Sequence, residues 1–137
     1  MKVQCALLAV LLVVVHSAYQ PFEPNPVEYG IVQQAALRNN THNLVSGWRQ
    51  YGDRILYRGV IKESYKFLST STAEFKYPAW GYRSETITCV LAVDQYPKDT
   101  GGYVNITSGG VGLKQVSLSF KSQFSRGLQY VVEVYGM

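Results

Sequence analysis

Few residues in this 137-residue chain have the types and spacing that chemistry needs. Cys89 is the first candidate, but a cysteine becomes a nucleophile only as thiolate, which calls for a neighbouring base or positive charge. Beyond the apolar start of the chain the only histidine is His42, forty-seven positions away on a polar stretch. Cys89 falls in phase with Ile87, Leu91 and Val93, so the spacing makes it a free, buried, inert thiol pointing into the core. Zinc would want four ligands, which one His and one Cys without clustered carboxylates do not supply. The acids Asp53, Glu63, Glu85, Asp94 and Asp99 are scattered toward strand ends and turns, where carboxylates are ordinarily solvated, and do not suggest a paired-carboxylate hydrolase. No catalytic, cofactor-binding or metal-binding residue is assigned, and the expectation is a protein that is not an enzyme.

The segment 108–114 is rich in glycine and resembles a phosphate-binding loop only at first sight. That loop needs Gly-Lys-Ser/Thr in direct succession, whereas Leu113 separates Gly112 from Lys114 and Gln115 follows. Gly109, Gly110 and Gly112 instead predict a structural hairpin turn between strands at 104–107 and 115–121, with at least one glycine at positive φ. Arg49, Arg54, Arg58 and Lys62 alternate with Tyr51, Tyr57 and Tyr65, residue types that nucleic-acid surfaces use. Strand alternation puts Tyr57 opposite Arg54 and Arg58, so no nucleic-acid partner is expected. Asn39-Asn40-Thr41 and Asn105-Ile106-Thr107 are acceptor sequences for N-glycosylation; Asn39 sits on a polar loop and Asn105 in the outward phase of a strand.

The elements that must position these residues begin after a leader. Lys2 gives a short positive region, residues 5–15 an unbroken apolar run of eleven, and Val15 and Ser17 the small or aliphatic side chains that signal peptidase inspects. The run is well short of the ~20 apolar residues of a spanning helix, so residues 1–17 read as a cleaved signal peptide and the mature chain has no expected membrane span. Removing them takes Lys2 from the 13 Lys and Arg, leaving twelve against nine Asp and Glu, a mild charge of +3. That is no dense basic face. Cys5 leaves too, so Cys89 has no internal disulfide partner and stability must come from a core that 11 Tyr, 5 Phe and 2 Trp can fill.

Residues 18–42 read as an N-terminal arm, extended by Pro21, Pro24 and Pro26, with two helical turns expected over 31–38. From residue 43 to 137 a single β-rich domain is expected. Between 54 and 62, Ile55, Tyr57, Gly59 and Ile61 share one face, and Arg54, Arg58 and Lys62 the other. Residues 86–94 are apolar on both faces, with Ile87, Cys89, Leu91 and Val93 on one and Val90 and Ala92 on the other, which predicts a central strand. Val104 and Ile106, then Val116, Leu118 and Phe120, then Leu128, Tyr130, Val132 and Val134 form further inward sets, the last opposite Gln129 and Glu133. Weaker strands are expected at 44–50 and 64–67. Hairpin punctuation falls at 98–102, 108–112 and 125–127. About seven short strands of this kind predict an all-β, small antiparallel β-sandwich or barrel-like domain, preceded by the signal peptide and Pro-rich arm.

Gly52-Asp53-Arg54-Ile55-Leu56-Tyr57-Arg58 resembles a block found in an insect family that carries two descriptions, "probable salivary secreted peptide" and multiprotein bridging factor of the second type, a transcription activator. The stretch from Asp94-Gln95 through Gly101-Gly102-Tyr103-Val104-Asn105-Ile106-Thr107-Ser108-Gly109-Gly110-Val111-Gly112 is similar too. So are Val116-Ser117-Leu118-Ser119-Phe120-Lys121-Ser122-Gln123, Arg126-Gly127 and Val132-Glu133-Val134-Tyr135-Gly136. The resemblance spans residues 47–136 and implies no catalytic residues or cofactor. It implies either a secreted, extracellular interaction protein of salivary or haemolymph type, with an unidentified protein or a small apolar ligand as partner, or a transcriptional co-activator bridging a DNA-binding factor to the basal machinery. The leader sends the chain into the secretory pathway and favours the first.

Overall fold

Strands form here because β-branched and aromatic residues recur every second position, so that one side of each strand can be buried while the other stays wet. In the computed structural model, which describes residues 42–97 and 99–137, the chain forms β1 (Leu44–Gly47), β2 (Arg54–Glu63), β3 (Thr72–Tyr77), β4 (Ile87–Asp94), β5 (Tyr103–Gly109), β6 (Val116–Lys121) and β7 (Leu128–Gly136). There is no helix among the described residues. The signal peptide 1–17, the helical turns expected over 31–38, Asn39 and all of the 18–42 arm except His42 lie outside them.

The strands make two antiparallel sheets, one in the order β1-β4-β7-β2 and the other β3-β6-β5. Both contribute to one apolar core. Phe75, Tyr77, Val116, Leu118 and Phe120 come from the three-stranded sheet, and Ile87, Val90, Ala92, Leu128, Tyr130, Val132 and Val134 from the four-stranded one. The rings of Phe120 and Tyr130 meet across it, 5.0 Å between centroids. The Tyr130 hydroxyl, unable to stay dry alone, donates to the His42 carbonyl at 3.1 Å.

Five expectations need correction. The strand placed at 64–67 is a loop, and the third strand is β3, where Ala73, Phe75 and Tyr77 point inward and Thr72, Glu74 and Lys76 outward. Ile55 is 51% exposed rather than buried: a bulge between Ile55 and Tyr57 inserts Leu56, which packs on the core in its place. An extra residue reverses the alternation on one side of it. A second bulge, between Ile87 and Cys89, does the same in β4. Ile87 shares the core with Val90 and Ala92, while Cys89 and Leu91 cluster with Tyr135 on the other face of the sheet. β7 is covered on both sides, so Glu133, expected to be wet, is buried.

The last correction concerns the turns. Only 110–115 joins two strands that pair, β5 and β6. The turns expected as hairpins at 98–102 and 125–127 belong instead to the connections β4–β5 and β6–β7, which run from one sheet to the other. The latter is fastened to residues 64–71 by backbone and hydroxyl bonds, Ser122 N–H to the Ser71 carbonyl at 2.8 Å and Ser71 N–H to Ser122 Oγ at 2.7 Å.

Candidate functional site

Because the strands are antiparallel, their connections gather at two ends. The end of β1, the start of β2, the end of β3, the start of β4 and the β5–β6 turn share one end: the pairings Gly47 with Cys89, Arg54 and Ile87 with Gly136, Tyr77 with Val116 and Gly109 with Val116 set it within each sheet, and the main-chain bonds of Ile87 to Gly112 and Leu113 join the two sheets there. Two connections at this end form an open groove of about 590 Å³. One wall is the β3–β4 connection, Pro78 to Arg83, and the other is Leu113, Lys114 and Gln115, with Lys76 of β3 also in the lining.

The walls are braced by main chain. Gly110 N–H donates to the Gln115 carbonyl at 2.8 Å, closing the hairpin. Gly112 N–H donates to the Ile87 carbonyl and Ile87 N–H to the Leu113 carbonyl, both at 2.8 Å. One turn is thereby stitched to the strand that leaves the other wall. Gly109, Gly110 and Gly112 have φ of 70°, 121° and 85°. At Gly109 a Cβ would also stand 2.1 Å from the Gln115 carbonyl oxygen, so the turn requires a residue without one.

On this frame the side chains are displayed rather than packed. Trp80 is 87% and Tyr82 102% exposed, and Leu113 53%. Lys76, Arg83 and Lys114 add three cations to the lining, which contains no carboxylate. Glu85 lies two residues beyond Arg83 and is held by Arg54; its own backbone amide and these guanidinium groups keep its carboxyl below the usual range. Two flat apolar rings framed by cations are suited to recognition.

A second constellation lies on the outer face of the four-stranded sheet. Register puts Val45, Leu91, Glu133 and Arg58 in one row, and Gly47, Cys89, Tyr135 and Ile55 in the next. Buried Glu133 receives the Tyr135 hydroxyl at 2.5 Å and Arg58 Nε at 3.0 Å, and the Arg49 guanidinium lies 3.7 Å over the Tyr135 ring. Burial, reinforced by the hydrogen bond to Glu133, raises the Tyr135 pKa. Arg49 also approaches Asp53 at 3.6 Å. Of the four cations whose spacing raised a nucleic-acid surface, Arg49, Arg54 and Arg58 each face a carboxylate of the chain itself, and Lys62 is the fourth.

The structure does not bring the sequence-derived residues together. Cys89 is in no disulfide and lies fully buried in the outer-face cluster. Asn105 is exposed on β5, an edge strand. His42 is buried with its ring edge-on to Tyr103, 5.2 Å between centroids. Among the described residues no three of His, Cys, Asp and Glu gather as metal ligands would, and no helix is long and apolar enough to cross a membrane. Sequence reasoning passed over Trp80, Tyr82 and Arg83. The signal was there: two large aromatics in the run Pro78-Ala79-Trp80-Gly81-Tyr82, where proline and glycine mark a connection and a ring has no core to enter.

Comparison with known proteins gives two findings. A family model described as "Transcription activator MBF2" matches residues 46–136. A "Probable salivary secreted peptide" from Bombus ignitus is 38% identical over 99 residues, which cover 71% of this chain and 71% of the relative. Neither description names an enzyme. No solved structure matches.

Proposed function

The chain belongs to the transcription activator MBF2 family, and from that membership and its loop-end geometry we propose that it is a secreted, non-enzymatic interaction protein that holds another protein at the groove of residues 76–83 and 113–115. The observation that carries this reading is the exposure of Trp80 and Tyr82 on a braced frame, beside a core already filled by its own side chains. Apolar rings held in water at one place, rimmed by polar groups, mark surfaces that are covered in use. A small-molecule carrier would instead enclose an apolar cavity, whereas this groove is open and carries three cations.

Export is supported by the leader-like residues 1–17 and by the name of the Bombus relative. In culture medium the chain should begin at Ala18, as N-terminal sequencing would show, and Asn39 or Asn105 should carry glycan that an endoglycosidase removes with a shift on a gel. A photo-crosslinking residue at position 80 should capture a protein from the extracellular fluid, and capture should fail when the residue is placed at position 74, on β3 away from the groove lining. Equal capture at both positions would remove the groove from the reading.

A second reading rests on the family description, a transcriptional co-activator that bridges a DNA-binding factor to the basal machinery. It uses the same surface for protein contact but requires the nucleus. Full-length chain recovered from nuclei, still carrying residues 1–17, would favour it over export.

A further inference from the structure

We infer that the groove's partner is an acidic peptide segment, one in which carboxylates alternate with apolar side chains; this rests on the protein-binding reading above and names the chemistry of what binds. The lining supplies three cations, two exposed rings and Leu113, with no carboxylate of its own. An empty groove of this kind holds like charges near one another, and a partner bringing carboxylates relieves that repulsion while its apolar side chains cover Trp80 and Tyr82. Gln115 adds a side-chain amide able to donate and accept to a peptide main chain.

The distribution of the remaining charge argues for a short acidic segment over a long polyanion. A polysaccharide sulfate or a nucleic-acid strand is held by a continuous track of unpaired cations. Here Arg49 faces Asp53, Arg54 faces Glu85 and Arg58 faces Glu133. Lys76, Arg83 and Lys114 are the three cations gathered at the groove, while Lys62, Lys66, Lys121 and Arg126 are spread elsewhere along the chain, and the net charge of the whole chain is only +4. The groove's volume of about 590 Å³ accommodates a few side chains of a bound segment.

The test uses the secreted chain and four probes: a twelve-residue peptide alternating Glu with Phe and Leu, its Gln isostere, heparin, and a single-stranded oligothymidylate. The acidic peptide should bind at least tenfold more tightly than the Gln isostere, and its affinity should fall on the order of tenfold between about 50 and 500 mM salt. Arg83→Glu and Lys114→Glu, both on exposed side chains, should each weaken it about tenfold, and Trp80→Ala by tenfold or more, with unchanged circular dichroism showing an intact fold. Equal binding of peptide and isostere, both lost in Trp80→Ala, would overturn the acidic preference while leaving protein docking at the groove in place. Binding of both that is indifferent to Trp80→Ala and Arg83→Glu would overturn the groove itself. Heparin or the oligonucleotide binding more tightly than the acidic peptide, with loss in Lys114→Glu, would replace the peptide with a polyanion.

Discussion

Glu133 is the residue whose surroundings determine most about its neighbours. A buried carboxylate is tolerated only when paired and hydrogen-bonded, and Arg58 and the Tyr135 hydroxyl meet that need. Tyr135→Phe should therefore cost about 1–3 kcal/mol in urea unfolding, because it takes a donor from a buried charge. The same bond gives a pH signature. Tyr130 and Tyr135 are both raised above their ordinary value of 10.0, foremost by burial, with Asp94 and Glu133 adding to it. A phenol whose folded pKa lies above its unfolded value stabilises the fold fully below the unfolded value and loses that contribution as pH rises above it. Unfolding midpoints should thus hold level at neutral pH and fall above about pH 10, and the fall should be shallower in Tyr135→Phe. Cys89 is legible as buried because it stands between Ile87 and the apolar run Val90 to Val93, and it should react with a thiol reagent only as fast as the protein opens. Its direction was not legible, since a bulge leaves no mark in hydrophobic pattern when both faces are apolar.

At the scale of elements, the β5–β6 turn separates two effects of adding a Cβ. Gly109 has both positive φ and a carbonyl in the way, while Gly112 has positive φ with nothing within 4 Å. Gly112→Ala should cost about 1–2 kcal/mol, the ordinary penalty of left-handed backbone. Gly109→Ala should cost distinctly more and lower the melting temperature further, which calorimetry on the pair would read directly. If the turn is structural, both variants should bind as the parent does once folded. β6 and β7 could be read from sequence because each alternates without interruption over its inward set. β3 alternates as regularly, yet its inward set begins with Ala73, too small to stand out against the aromatic run 65–67 that sits in the loop before it. Composition drew the eye to the wrong segment.

For the whole molecule, topology is what the sequence concealed. Punctuation shows where the chain turns but not whether it turns within a sheet or across to the other. One connection of the described strands joins neighbours in a sheet; β7 instead lies between β4 and β2, which precede it by long stretches of chain. Central pairing must wait for the last strand, so refolding should take milliseconds to seconds, as for other sheet proteins dominated by non-local contacts. Stopped-flow fluorescence should find substitutions in β7, such as Val132→Ala, slowing folding more than substitutions in the β5–β6 turn. The sequence made six of the seven strands and most of their inward faces visible, and the family resemblance covered the same span. It showed the rings of one groove wall but not the groove, which forms where two connections distant in the chain meet at one end of the sandwich.

The brace at Ile87 has an evolutionary consequence. It consists of main-chain donors and acceptors from Ile87, Gly112 and Leu113, so no side chain on the groove's rim is needed to hold it. Positions 80, 82, 83 and 114 can then change without loosening the fold, as antibody loops change upon a constant sandwich. Members of one lineage would keep the same scaffold while exchanging partners, and selection between them would act on these four surface positions.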